Sequence, residues 1–369
     1  MKLRHLAIAL GLSAAFAVTP ASAQIKLGVF GPFTGDAAAY GQSQKEGIEI
    51  AVKEVNAAGG VLGKKLEIVY ADDAGKPEQA AAVALRLANQ DEVTVLLGSI
   101  SSGASLAASQ IAAQTETPQI VITSTAQRIT TQGNPWVFRS TIPDTAFAES
   151  LAAFVAKKYP DKKKYAFIYV NDDFGKGGFE KFNAKAKTLG MTLVADEKYA
   201  RGDLDFTGQL TRIRSSGAEV LIEWSRYAEQ ALISKQKKQM GLNIPLLAGD
   251  GTPKYLELAG DAAEGVVYPT DFAIPTAKTA IGMALVKSVK DNYNRLADYT
   301  HAQAYDAVKL VAAAITKAGS TDKAKVRDAL KTVEINGARG VFKFDAKGDP
   351  THSAAMIVVK GGKEADANE

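Results

Sequence analysis

Short apolar runs alternate with segments of helical periodicity along most of the chain, and this alternation constrains the fold most strongly. Val93–Leu97 is one such run, and it ends at Gly98 before an alanine-rich helical segment. A strand of this composition is buried on both faces, which requires helices on both sides of a parallel sheet. The same strand, turn and helix rhythm restarts after residue 140. The chain is therefore predicted to be α/β, with two doubly wound parallel-sheet lobes.

The pattern continues toward the C-terminus with longer helices. It predicts a strand over Gly265–Tyr268, helices over Ala277–Asn294 and Ala302–Lys317, and strands over Gly340–Asp345 and Ala355–Lys360. The last residues, KEADANE, are acidic, and we expect them to be frayed.

The N-terminus has the order of a secretory signal peptide. Lys2 and Arg4 precede an apolar core from Leu6 to Val18, and the small residues Ala21-Ser22-Ala23 follow. The core is shorter than the ~20 residues that span a bilayer. Cleavage after Ala23 would leave 346 of the 369 residues and lower the formal net charge from +4 to +2. We expect an exported protein, long enough to form two lobes.

Composition argues against several chemistries. The chain has no cysteine, which excludes disulfides, thiol nucleophiles and thiolate metal sites. His5 lies in the predicted signal peptide, and His301 and His352 are far apart, so neither a zinc site nor a Ser-His-Asp triad is predicted. The near-balanced charge argues against nucleic acid as a partner. We expect no metal, no cofactor and no catalytic residues, with an exported hydrolase as the weaker alternative.

A serine-rich turn follows the strand that ends at Leu97. Ser99, Ser101 and Ser102 lead into the next helix. The first amides of a helix lack acceptors, and with the serine hydroxyls and the helix dipole they suit a small anion such as a carboxylate. The alternative is that Ser101 or Ser102 only caps the helix.

Other polar turns follow the other strands. They lie at Gly31–Asp36, Thr123–Ala126, Asn171–Gly175, Ser225–Tyr227 and Gly249–Thr252. Ligands of open α/β sheets bind at the carboxyl ends of the strands, so a cleft between two lobes can collect these turns. The aspartate pairs at 72–73 and 172–173 are interpreted as turn caps.

Several sequence blocks are specific in combination: GPFTGDAAAYGQSQKEGIEIAVKEVNAAGG near the start, then GSISSGAS, ITSTA, NDDFGKGG and LLAGDG. On these blocks the mature chain resembles, over essentially its whole length, the periplasmic solute-binding proteins of the branched-chain amino-acid group. The resemblance implies two lobes joined by three crossovers, near Thr141–Asp144, Tyr268–Asp271 and Gly340–Asp345. The implied lobes are 24–141 with 271–340, and 142–270 with 341–369.

The resemblance also implies a function. The protein would be a monomer in the periplasm that captures an amino acid between its lobes and delivers it to the membrane permease of an ABC importer. It would perform no reaction on the ligand. Two alternatives stay open: a binding protein for aromatic or other small carboxylates or amides, and a ligand-sensing receptor module.

The implied ligand-binding residues are Tyr40, Ile100, Ser101, Ser102, Ser124, Thr125, Ala126, Phe174, Trp224, Arg226, Tyr227 and Asp250. In this family the serine turn and the next turn of the first lobe, residues 124–126, hold the ligand's carboxylate. Carbonyl and hydroxyl groups of that second turn, together with an acidic residue of the second lobe, meet its ammonium. Asp250 stands at the acidic position, where leucine binders have the longer Glu. Phe174 stands where a tyrosine is common, and Tyr40 matches an aromatic residue at the cleft edge.

Arg226 bears on the choice of ligand. A buried arginine would suit a second carboxylate on the ligand. Trp224, Tyr227 and Phe174 would instead suit an aromatic or aliphatic side chain. Asp250 as an ordinary turn aspartate, and Arg226 pointing to solvent, are the alternatives.

Overall fold

The computed structural model describes residues 24–369, so the predicted signal peptide and its cleavage site lie outside the described residues. The first half of the described chain alternates strands and helices as predicted. Its elements are β1 (Ile25–Gly31), α1 (Ala38–Ala57), β2 (Leu66–Asp72), α2 (Pro77–Asn89), β3 (Val95–Leu97), α3 (Ser102–Gln114), β4 (Gln119–Val121), α4 (Arg128–Thr131) and β5 (Val137–Arg139).

The alternation then restarts and builds a second unit. Its elements are α5 (Asp144–Lys158), β6 (Lys164–Val170), α6 (Asp173–Thr188), β7 (Thr192–Tyr199), α7 (Thr207–Ser215), β8 (Val220–Trp224), α8 (Tyr227–Gln239), β9 (Leu246–Ala248), α9 (Pro253–Ala259) and β10 (Val267–Thr270). The remaining elements are α10 (Ala280–Tyr293), α11 (Tyr299–Ala318), α12 (Lys323–Leu330), β11 (Glu334–Gly337), β12 (Gly340–Lys343), β13 (Ala355–Lys360) and β14 (Lys363–Asp366). Short 3₁₀ helices cover Gly260–Ala263 and Ile274–Thr276.

The strands form one sheet in each lobe and a small hairpin. The first sheet is parallel, in the order β2-β1-β3-β4-β5. The second has the order β14-β13-β10-β9-β8-β6-β7, in which β13 runs antiparallel to both of its neighbours, β10 and β14, and the other pairings are parallel. The chain passes between the two sheets after β5, after β10 and after β12. The predicted fold class is confirmed, whereas the residue bounds of the lobes stay a prediction.

Buried apolar strands explain why the helices cover both faces of the first sheet. All three residues of β3 are fully buried, as the continuous apolar run predicts. Helix α11 packs against α1 on one face of this sheet. Within residues 24–369 no helix is long and apolar enough to cross a membrane.

The prediction that the C-terminus is frayed is wrong. Residues Lys363–Asp366 form β14, which pairs antiparallel with β13. The turn between them is Gly361-Gly362, and both glycines have positive φ, 57° and 73°. This is the backbone that a tight hairpin turn requires, so the Gly-Gly pair was the available signal. The phenol of Tyr268 donates to Glu364 of β14 over 2.8 Å and ties the edge strand to the sheet.

Several other boundaries differ by one to three residues from the predicted ones, and two of these differences have a local cause. Strand β10 begins two residues later than predicted, because Gly265 has a positive φ of 77°, outside the strand region. Helix α11 begins at Tyr299 rather than Ala302, because the Asp298 side chain caps it by accepting from the amide of His301 over 3.1 Å.

Candidate functional site

The polar turns at the carboxyl ends of the strands converge on one cavity between the lobes. Its empty volume is about 530 Å³, part of which is open to solvent. Eight residues expected from the sequence line it: Tyr40, Ile100, Ser102, Ser124, Thr125, Phe174, Arg226 and Asp250. Four expected residues, Ser101, Ala126, Trp224 and Tyr227, do not line it.

The serine turn of the first lobe presents the start of α3 to this cavity. Ser101 occupies the position before the first helical residue, yet its side chain makes no capping hydrogen bond. The amides of Ser102, Gly103 and Ala104 therefore have no acceptor within the helix. The simple capping role considered for Ser101 is not observed, and the helix start is left free to meet an anion.

The second turn of the first lobe, residues 124–126, is held in place by a buried arginine. The Arg139 guanidinium is fully buried and donates to the carbonyls of Thr125 and Ala126 over 2.8 and 2.9 Å. It also pairs with Asp349 over 2.6 Å. These carbonyls were expected to meet the ligand's ammonium, and in the structure both accept a hydrogen bond from Arg139. The Thr125 hydroxyl is buried, without a hydrogen-bond partner, and Thr125 lines the cavity.

A hydroxyl pair joins the two turns. The hydroxyls of Ser105 and Ser124 lie 2.7 Å apart, and Ser105 also accepts from the amide of Ser99 over 3.0 Å. The amide of Ala126 donates to the Ser102 hydroxyl over 3.4 Å. Since each turn supports the other, the two turns form one preorganised surface.

Asp250 lies in the turn after β9 and is partly buried. One carboxylate oxygen accepts from the phenol of Tyr299 and from the amide of Gly251 over 2.7 Å, and the other accepts from the phenol of Tyr40. Burial raises the pKa of Asp250, and the hydrogen bonds from both phenols and from Gly251 act in the opposite direction. Burial and the Asp250 charge raise the pKa of both phenols well above the usual range, so they remain donors.

Arg226 reaches from the second lobe into the cleft. It is 8% exposed and lines the cavity, so the alternative that it points to solvent is not observed. One terminal nitrogen, Nη2, lies 2.8 Å from Asp172 Oδ2 and 3.5 Å from the Ser101 hydroxyl. The guanidinium also lies over the ring of Phe174, 5.3 Å from its centre. Asp172 caps α6 by accepting from the amides of Phe174 and Gly175, which confirms its predicted capping role.

Three further pairs join the lobes around the cavity. Arg201 pairs with Asp36, with Nε 2.7 Å from the carboxylate, and Arg128 lies 2.6 Å from Asp173. The phenol of Tyr227 donates to the carbonyl of Asp36. With the Tyr40–Asp250 hydrogen bond, these contacts describe a cleft in its closed form.

Trp224 and Tyr227 support the cavity instead of lining it. The indole of Trp224 is fully buried and packs against the backbone of Gly178 and Gly249, where an added Cβ would lie about 2 Å from its ring atoms. Phe174 covers it, with ring centres 6.1 Å apart. Tyr227 packs on Tyr40 at 4.9 Å. Both aromatics hold the residues that do line the cavity.

Comparison with known proteins agrees with this architecture. The sequence profile described as "Periplasmic binding protein" matches residues 24–364. The chain belongs to this family. A Leu/Ile/Val-binding protein homolog of Brucella melitensis is 33% identical over 91% of this chain and 93% of its own length.

Solved members of the periplasmic binding protein family share the fold. A leucine-binding protein from Thermotoga maritima superposes with a TM-score of 0.87, at 30% identity, covering 93% of this chain and 97% of its own. The branched-chain amino-acid binding protein of Streptococcus pneumoniae, in complex with isoleucine, gives 0.86 at 29% identity, covering 93% and 98%. The type I periplasmic binding protein fold expected from the sequence is thereby confirmed.

Eight cavity residues were not among the ligand-binding residues expected from the sequence: Thr123, Thr141, Phe147, Gly249, Pro269, Thr270, Tyr299 and Gln303. Gln303 shows why they were missed. Its amide nitrogen donates to Thr141 and Asp271 over 3.0 and 2.9 Å, and its oxygen accepts from Thr123 over 2.8 Å. It lies inside α11, where helical periodicity marks only a buried face. The Asp298 cap was a usable signal for Tyr299, which is the first residue of the helix.

The histidines of the described chain lie outside the cavity lining. The His301 ring is fully buried between Glu46 and Asp298, at 2.9 and 2.8 Å. His352 packs against Phe342, with ring centres 4.9 Å apart. Neither imidazole contacts Ser102, and residues 24–369 contain no cluster of three metal-ligating side chains.

Proposed function

We propose that this protein is the substrate-binding component of an ABC importer and captures an amino acid in the interlobe cleft. One observation carries the proposal: the cavity between the lobes holds groups for both charges of a zwitterion. The free amides of α3, with Ser102 and Thr125, suit a carboxylate, and Asp250 suits an ammonium. An unpaired charge taken out of water costs several kcal/mol, so this pairing favours amino acids over ligands with one charge.

The remainder of the lining is suited to an apolar side chain. Ile100, Phe147, Phe174 and Pro269 contribute apolar surface to the same cavity. The names of the similar proteins, which refer to leucine, isoleucine and valine, support aliphatic ligands. An aromatic side chain fits the same chemistry.

Closure of the lobes is the functional motion. The ligand shifts the population toward the closed form, in which both lobes contact it. The closed form then presents a surface to the membrane permease. The protein acts as a monomer in the periplasm, without reaction on the ligand.

Isothermal titration calorimetry on the mature protein tests the proposal. The panel is leucine, isoleucine, valine, phenylalanine, glutamate and benzoate. We expect saturable binding of at least one neutral amino acid, with the ligand recovered unchanged. Binding of benzoate alone would favour the aromatic-carboxylate alternative, and turnover of an ester or amide substrate would favour the hydrolase.

The compartment is tested separately. Mass spectrometry of the protein from a periplasmic fraction should give a chain that begins at Gln24, and light scattering should give the mass of a monomer. A chain retained in the cytoplasm with Met1 in place would contradict the predicted export.

A further inference from the structure

We propose that Arg226 binds the same carboxylate as the serine turn, so that the ligand's carboxylate is held from both lobes at once. The inference rests on the proposed function and deepens it. It also replaces the idea, drawn from the sequence, that Arg226 would select a second carboxylate on the ligand.

The position of the guanidinium is the first support. Arg226 is the residue before α8 in the second lobe, and its side chain crosses the cleft. Its Nη2 lies 3.5 Å from the hydroxyl of Ser101, the residue directly before α3. The positive charge therefore lies beside the free amides to which the carboxylate is assigned.

The unused hydrogen-bond donor of the guanidinium is the second support. Nη2 is used by Asp172 and Ser101, and the ring of Phe174 covers one face of the group. The other terminal nitrogen, Nη1, is buried and has no hydrogen-bond partner. Leaving a buried charged donor unpaired is costly, and a carboxylate bound at the start of α3 would satisfy it.

The charge balance decides between one carboxylate and two. Asp172 already pairs with Arg226, and Glu229 adds further negative charge nearby. Asp250 is a third acidic group of the cleft. Among residues 24–369, the one positive side chain that lines the cavity is Arg226, so a second carboxylate on the ligand would add negative charge without a cation of its own. A ligand with a single carboxylate needs only the free donor that Arg226 still has.

This arrangement couples the carboxylate to closure. When the lobes separate, Arg226 moves with the second lobe and the carboxylate keeps only its contacts to the first. Closing adds a charge-assisted hydrogen bond that exists only in the closed form, and such a differential contact shifts the population.

The test combines two proteins with two pairs of ligands. Leucine and leucinamide differ at the carboxylate, and phenylalanine with phenylalaninamide is a second pair. Calorimetry on the unmodified protein and on Arg226→Gln gives the preference for acid over amide in each. We expect Arg226→Gln to reduce this preference by at least about tenfold, the change that loss of one charged hydrogen bond produces.

Arg201→Gln is the matched control. Arg201 also joins the lobes, through Asp36, but it does not line the cavity. Its loss should weaken acid and amide by the same factor. If Arg226→Gln does not fold, Arg226→Lys carries the test, with a smaller but unequal loss for the acid.

The other results would overturn the inference. An equal loss for acid and amide in the Arg226 variants would make Arg226 a structural residue only. Glutamate bound more tightly than leucine, with the loss confined to glutamate, would restore the second-carboxylate role. If the unmodified protein binds no amino acid, the proposed function itself fails, which is a different outcome.

Discussion

Replacement of Asp250 by asparagine tests the ammonium half of the site directly. The side chain keeps its size and one hydrogen-bonding oxygen, but it loses the negative charge that faces the cavity. In the structure this charge is stabilised by two phenols and one amide, and Asp250 stays partly exposed. Those contacts persist in the variant only in part, because an amide nitrogen cannot accept from a phenol.

The magnitude follows from the burial of the pair. Truncating one partner of a buried charge pair costs about 2–5 kcal/mol. Partial exposure of Asp250 places the expected loss in the lower part of this range, about 2–3 kcal/mol, which is about 30- to 150-fold in Kd. A desamino analogue, 4-methylpentanoate, has no ammonium, so its affinity should not fall in Asp250→Asn.

Calorimetry with leucine and 4-methylpentanoate measures both effects. Asp261→Asn is the control, because Asp261 is exposed and pairs with Lys238 at the surface. A thermal unfolding curve shows that each variant is folded. Leucine affinity that is unchanged in Asp250→Asn would refute the assignment of the ammonium to Asp250.

Three further changes test the frame around the site. Gly178→Ala should lower the free energy of unfolding by about 1–3 kcal/mol, because its Cβ would lie 2.1 Å from the Trp224 ring. Gly208→Ala, in a helix where the added Cβ would meet only Arg212 Nη1 at an ordinary 3.7 Å, should not lower it. Urea titration measures both, and equal effects would contradict the packing argument. Arg339→Met leaves the fully buried carboxylates of Asp271 and Asp306 without their partner and should cost about 3–5 kcal/mol, against less than about 1 kcal/mol for the surface residue Lys287→Met. Burial raises the pKa of Asp144 to about 7 from its ordinary 3.8, against the opposing effect of the Arg139 charge, so its contribution to stability is lost as the pH rises between these values. Asp144→Asn should therefore lessen the fall of the unfolding free energy across this range, and an unchanged pH profile would show that the Asp144 carboxyl is not held in its neutral form.

The sequence predicts the fold well because local signals and the global fold agree. Apolar runs such as Val93–Leu97 are buried on both faces, and the turns that follow them reach the cleft, as parallel strands require. The C-terminal edge strand was missed because its residues are polar. The acidic composition of KEADANE led to the prediction of a frayed, solvent-exposed end. The Gly361-Gly362 turn instead returns the chain to the sheet.

The site residues that were predicted best are those in the turns at the ends of strands. Ser102, Thr125 and Asp250 lie in such turns, and all three line the cavity. Tyr299 and Phe147 reach it from helices, and periodicity cannot distinguish a helix face that borders a cavity from one that packs in a core. Trp224 was predicted to line the cavity because it lies at a strand end, but it does not. Gly178 and Gly249 leave space for its indole beneath the lining.

The contact between Arg139 and Asp349 has a consequence for the order in which parts of the exported chain can fold. Arg139 holds the turn at Thr125, but its carboxylate partner Asp349 lies 210 residues later in the chain. Contacts between such distant parts of a sequence form late, because a long loop must first be closed. A chain that crosses a membrane with its N-terminus first would thus lack the ion pair behind this turn until Asp349 has emerged. The turn at Thr125 would be completed only after every strand of the first sheet is available to pair.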